Sequence, residues 1–156
     1  MESVNNHPYL YQIAEVQLVY KNNILPSQRP QISGSKDCYE LLYQDWDKNL
    51  ICLLEQFKVL LLNTANRVLG IYPMSSGGIS GTVVDPRLLF ATALTSHASG
   101  IILAHNHPSG NLQPSAADRH LTQKIAEGGK LLDIQVLDHL IITTEGYYSF
   151  SDEGLL

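Results

Sequence analysis

A chain of 156 residues with 44% hydrophobic and 16% charged residues has the size of one well-packed soluble domain and is short for two. No apolar run approaches the roughly 20 residues of a membrane-spanning helix, and the start, MESVNNHPYLYQ, lacks a basic region followed by an apolar core, so neither a span nor a signal peptide is expected. A net charge of −5, with ten Lys and Arg scattered from Lys21 to Lys130, counts against nucleic-acid binding through a basic stripe. Cys38 and Cys52 form no C-x-x-C pair and read as free, packed thiols in a reducing compartment, the cytoplasm.

Residues 1–12 read as a flexible segment, 13–49 as an N-terminal strand and helix, and 50–156 as the core of a single domain. In AEVQLVY, Val16, Leu18 and Tyr20 alternate with polar neighbours, which predicts a half-buried strand. KNNILPSQRPQISGSKD is a proline-containing loop, and Cys38, Leu41, Leu42 and Trp46 recur at helical spacing, predicting a helix near 36–46. EQFKVLLLNTANRVLGIYPMSS predicts two strands around a turn at Asn63 to Asn66, followed by a flexible loop in SSGGISGT. Asp85 and Pro86 form a favourable helix opening, the former as N-cap and the latter at the first helical position. GIILAH is a continuous apolar run of the kind buried on both faces. A helix opens at Ser115 with Leu121, Ile125 and Leu132 on one stripe, and Gly128 and Gly129 interrupt it. DIQVLDHLIIT is a further buried strand and YYSFSDEGLL a short strand and tail. Strands alternating with helices predict an α/β domain with a mixed sheet.

Chemistry concentrates between the apolar run and the helix, in HNHPSGNLQPSAAD. His105 and His107 stand two apart at a strand end, so both imidazoles leave the same face. Pro108 stops the strand, and Asp118 lies in the first turn of the following helix. Two imidazoles and a carboxylate suit zinc with an open fourth position, where the metal activates a water and polarises a carbonyl. Ser115-Ala-Ala-Asp118 also has the form of a capping box, with Asp replacing the usual Glu or Gln. Spacing leaves both readings open. His139, in VLDHLII, reads as a packed histidine bonded to backbone, with a role supporting a metal-ligating histidine as the alternative.

HNHPSGNLQPSAAD resembles the JAMM signature of the JAB/MPN metallopeptidases: H-x-H, seven residues, S, two residues, D. The longer wording, ILAHNHPSG, PSAAD and LLDIQVLDHLII, is similar to the RadC-like branch, historically labelled DNA repair proteins. The likeness runs from about residue 50 to the C-terminus. It implies a cytidine-deaminase-like mixed sheet flanked by helices and a zinc-dependent metallopeptidase or isopeptidase acting on a peptide or protein substrate. On it, His105, His107 and Asp118 are the metal ligands and Ser115 steadies the oxyanion. Glu55, opening a strand in LLEQFKVLLL, is the general base. Deaminase activity is disfavoured because the H-x-E with P-C-x-x-C pattern is absent. The helix-hairpin-helix region of longer RadC-like proteins is not legible before residue 50, so DNA association is only weakly supported. A DNA-repair-associated accessory protein with a structural metal and a non-catalytic protein-interaction module are the alternatives. Oligomeric state is not legible.

Overall fold

The computed structural model describes residues 14–77 and 83–156, which form a single mixed five-stranded sheet with three helices. In chain order these are α1 (Ser35–Asp45), β1 (Gln56–Leu62), β2 (Val68–Ser76), α2 (Pro86–Thr95), β3 (Gly100–Asn106), α3 (Ala116–Leu131), β4 (Gln135–Ile142) and β5 (Tyr147–Ser149). The spatial order is β2-β1-β3-β4-β5. All neighbours pair antiparallel except β3 and β4, which run parallel and are joined through α3. Such a parallel pair needs a long crossover, and α3 supplies it.

Alternation along the strands divides the core into two layers. Leu60, Leu62, Ile102, Ala104, Leu140 and Ile142 face Cys38, Leu42 and Trp46 on the α1 side. Phe57, Val59, Leu61, Ile101 and Leu103 face Leu89 and Ala93 of α2 and Ile125 of α3 on the other. Each fully buried Leu or Ile contributes about 1.5–3 kcal/mol. Every residue of β3 is buried, as its continuous apolar run predicts for a strand covered on both faces.

Asp85 caps α2 by accepting the Arg87 N–H at 2.9 Å, with Pro86 at the first helical position. The strand expected in AEVQLVY does not form. Residues 14–20 carry no strand, and Val16 and Leu18 are 86% and 79% exposed. Its alternation marks a two-sided surface, but without a paired backbone ladder there is no strand to bury it. Gly128 and Gly129 do not interrupt α3, which runs through both to Leu131. They are small because of packing: a Cβ at Gly128 would meet the Phe90 ring at 2.9 Å, and one at Gly129 the Ile134 carbonyl oxygen at 2.3 Å. Both cysteines are free, but only Cys38 is packed, whereas Cys52 is exposed. The expectations for residues 1–12 and for positions 78–82 of SSGGISGT lie outside the described residues, and Ser75 and Ser76 end β2. Among the described residues no helix is long and apolar enough to cross a membrane.

Candidate metal centre

His105 sits one residue before the end of β3, 1% exposed, paired with Phe57 of β1 and Ile141 of β4. Strand alternation sends it, with Ile101 and Leu103, to the face covered by α2 and α3. His107 follows just beyond the strand, where Pro108 ends the ladder. The chain then reverses through Gly110, whose φ of +80° suits a residue without Cβ. This turn brings the Asn111 carbonyl to 2.6 Å from His107 Nδ1. A carbonyl only accepts, so His107 carries a hydrogen on Nδ1 and turns Nε2 the other way.

α3 begins at the same end of the sheet. Ser115 is its N-cap: its hydroxyl accepts the Asp118 N–H at 3.1 Å, while Asp118 Oδ2 accepts the Ser115 N–H at 2.7 Å and the hydroxyl hydrogen at 2.6 Å. The capping box is therefore complete with aspartate at its third position. The same box holds the Asp118 carboxylate against the histidines. His105 Nε2 and His107 Nε2 are 3.0 Å apart, and they lie 3.2 and 3.7 Å from Asp118 Oδ1 and Oδ2.

All three ligand atoms fall within 4.8 Å of one another. Ligands about 2.0–2.1 Å from a tetrahedral zinc stand about 3.3 Å apart, so the spacings of this set fit one such ion. His105 is buried while His107 and Asp118 are half-buried, leaving the cluster open on one side. Burial alone would push the Asp118 carboxyl up. Hydrogen bonding and charge from His105, with the two Ser115 donors, outweigh it and hold the carboxyl well below the usual carboxylate range.

Glu55 immediately precedes β1, one residue earlier than a strand-opening position. Because Phe57 pairs with His105 in antiparallel register, continuing the two chains sets Glu55 opposite His107. Continued one residue beyond β1, strand alternation assigns Glu55 the parity of Phe57 and Val59, whose face carries His105. The side chain is half-buried and makes no hydrogen bond or ion pair to another described residue, while its carbonyl accepts the Gly77 N–H at 2.8 Å.

Asn106, between the two histidines, was not singled out from sequence. It is fully buried. Its Oδ1 accepts the Gln56 N–H at 2.7 Å, and its amide donates to the carbonyls of Leu54 and Ile51 at 2.9 and 2.7 Å. The two peptide groups flanking Glu55 are thus clamped to the strand end carrying the histidines. The available signal was a carboxamide inside an otherwise apolar strand, where its polar groups need partners. His139 corrects the sequence expectation: its ring nitrogens bond side chains, not backbone, with Nε2 2.8 Å from His105 Nδ1 and Nδ1 2.6 Å from the Thr122 hydroxyl. Its burial, then the neighbouring His105 charge, push its pKa well below the usual histidine value. A groove of about 880 Å³ lined by Arg119, Gln123, Lys130 and Leu155 lies elsewhere and includes none of the three ligands.

The family model described as RadC-like JAB domain matches residues 32–155. A UPF0758 protein of Flavobacterium johnsoniae is 48% identical over 127 residues, covering 80% of this chain and 53% of its own. UPF0758 proteins of Symbiobacterium thermophilum and Rubrobacter xylanophilus are each 45% identical, over 103 and 130 residues. Those alignments cover 66% and 82% of this chain and 44% and 55% of the relatives. The chain spans about half the length of the relatives it matches.

Proposed function

The chain belongs to the RadC-like JAB domain family, and on that premise we propose that it is a zinc-dependent hydrolase cutting amide bonds in a peptide or protein substrate. The observation supporting this reading is the convergence of His105 Nε2, His107 Nε2 and an Asp118 carboxylate oxygen within 4.8 Å, at the sheet end where Glu55 immediately precedes β1. Two imidazoles and a carboxylate favour zinc and leave one coordination position open. A zinc ion held there would supply Lewis acidity, lowering the pKa of a water toward neutrality and polarising the scissile carbonyl.

The chain's own residues handle the protons and the geometry. Glu55, with no competing partner among the described residues, accepts the proton of the attacking water and returns it to the leaving amine. Asn106 fixes the backbone on both sides of that carboxylate, so the base is positioned relative to His105 and His107 by one strand end. The Ser115 hydroxyl, which donates to Asp118 Oδ2 in the structure, turns to donate to the developing oxyanion.

The test is a peptide and isopeptide cleavage screen on the zinc-loaded full chain beside Glu55→Gln, with zinc uptake measured on both. The expected result is cleavage by the wild type, and for Glu55→Gln unchanged zinc uptake with cleavage lost by at least about a hundredfold. Equal cleavage by both proteins would remove Glu55 as the base. Absence of zinc uptake by the wild type would remove the metal reading itself.

A further inference from the structure

We propose that His139, anchored by Thr122, is a positioning residue that holds the His105 hydrogen on Nδ1, which leaves Nε2 as the nitrogen that offers its lone pair to a cation. The proposal deepens the metal-centre reading above and rests on it.

The hydrogens can be assigned one after another from an atom that only accepts. The main-chain carbonyl of Asp118 lies 2.7 Å from Thr122 Oγ1, so the single hydroxyl hydrogen of Thr122 is spent there. Thr122 Oγ1 then has only lone pairs left for His139 Nδ1 at 2.6 Å, and His139 must carry its hydrogen on Nδ1. That ring is completely buried, stacked on Phe150 at 4.7 Å and tilted against Phe57 at 5.5 Å, surroundings that suit a neutral imidazole. With its hydrogen on Nδ1, a neutral His139 presents a lone pair from Nε2. The nitrogen facing it at 2.8 Å, His105 Nδ1, is therefore the donor. His105 in this tautomer is left with a lone pair on Nε2.

The Asn111 carbonyl imposes the same tautomer on His107. His105 Nε2 and His107 Nε2, 3.0 Å apart, thus face the Asp118 carboxylate together, and a proton shared with Asp118 in the zinc-free chain, or a cation in its place, offsets their repulsion. Asp118 stands at both ends of the relay, its main-chain carbonyl anchoring Thr122 and its carboxylate facing His105. The arrangement depends on α3 lying against β4 with Thr122 and His139 in contact.

The direct test is long-range ¹H–¹⁵N spectroscopy of the histidine rings in the zinc-free and zinc-loaded full chain. His139 is expected to carry its hydrogen on Nδ1 in both states and His105 to carry one on Nδ1 in both, and a hydrogen on Nε2 with none on Nδ1 of either ring overturns the proposal. A second test reads zinc affinity by chelator competition in variants whose folding is checked by circular dichroism. His139→Phe keeps the packing but loses the acceptor, and zinc affinity is expected to fall about 10–100-fold. His139→Gln, whose amide oxygen can accept from His105 Nδ1 while its amino group faces Thr122, is expected to stay within a few-fold of wild type. Thr122→Val is expected to fall between the two. A folded His139→Phe that binds zinc as tightly as wild type overturns the proposal and leaves the metal centre standing. If His139→Phe does not fold, the ring spectra of the wild type decide. A wild-type chain that takes up no zinc overturns the metal-centre reading and the proposal with it.

Discussion

Replacing Ser115 with alanine separates helix capping from metal holding at one oxygen atom. Ser115 Oγ accepts the Asp118 N–H at 3.1 Å and donates to Asp118 Oδ2 at 2.6 Å, and alanine removes both bonds. The Ser115 main-chain N–H, 2.7 Å from Oδ2, survives the change, so half of the capping box remains. Ser115 is exposed, and water can replace its hydroxyl at the freed Asp118 groups. The cost in metal-free protein is therefore that of an ordinary N-cap, about 1 kcal/mol, and Ser115→Gly costs only a few tenths. In a chain of this size 1 kcal/mol lowers Tm by about 2–4 °C. Zinc affinity falls by about tenfold, the low end for loss of a group that orients a ligand, because Oδ1 still faces His105 at 3.2 Å. Asp118→Ala, which removes the ligand itself, abolishes tight binding. Urea unfolding in chelator reads the first quantity and chelator competition the second. A metal-free loss near zero or above about 3 kcal/mol would refute the capping argument. Zinc binding lost as completely in Ser115→Ala as in Asp118→Ala would make Ser115 a ligand and refute the three-residue assignment.

Adjacent glycines in α3 are expected to differ sharply in thermal or urea unfolding. Gly128→Ala meets only the movable Phe90 ring, and its helix-propensity gain of about 1 kcal/mol leaves stability near wild type, whereas Gly129→Ala drives a methyl into the Ile134 carbonyl and costs about 3 kcal/mol or more. Asn106→Ala strands the Gln56 N–H and the Leu54 and Ile51 carbonyls, and is expected to cost at least about 3 kcal/mol by the same measurement. Burial raises the Asp138 carboxyl above the usual range, although Ser149, Ser151 and the His139 N–H all donate to it. The folded chain thus holds this proton more tightly than the unfolded one. Its contribution to stability is full below about pH 4 and is lost as pH rises through the raised value, with a slope of up to about 1.4 kcal/mol per pH unit. Asp138→Asn keeps an acceptor for the two N–H groups and removes the titration. Urea unfolding from pH 4 to 8 in chelator should therefore show the variant gaining on wild type as pH rises, and a flat difference would refute the argument.

Where the sequence can be read directly, the responsible forces act within a few residues. The Asp85-Pro86 opening, the Ser115 to Asp118 box and the Pro108-to-Gly110 turn are local hydrogen-bonding and backbone preferences, so residue type and spacing suffice to find them. The apolar run of β3 announces a strand covered on both faces in the same way. AEVQLVY shows the limit of that logic. Alternation describes the two sides of a possible strand but carries no information about a free sheet edge on which to form its ladder. The reading of Gly128 and Gly129 as interruptions failed for a related reason, since their smallness answers to Phe90 and to the Ile134 carbonyl.

By itself, then, the sequence determined the α/β class, the pairing of His105 with His107 on one strand face, and the family resemblance that singled out Glu55, Ser115 and Asp118. The tertiary structure alone decided how His105, His107 and Asp118 meet and which sheet end Glu55 adjoins. Register between β1 and β3 sets Glu55 at the histidine end, and Asn106 holds it there through bonds spanning some fifty residues. The parallel pairing of β3 and β4 beneath α3 places Thr122, His139 and His105 in one line. No local pattern encodes these contacts. Their partners are far apart in the chain, and only the order of strands in the sheet and the seating of the helix make them neighbours.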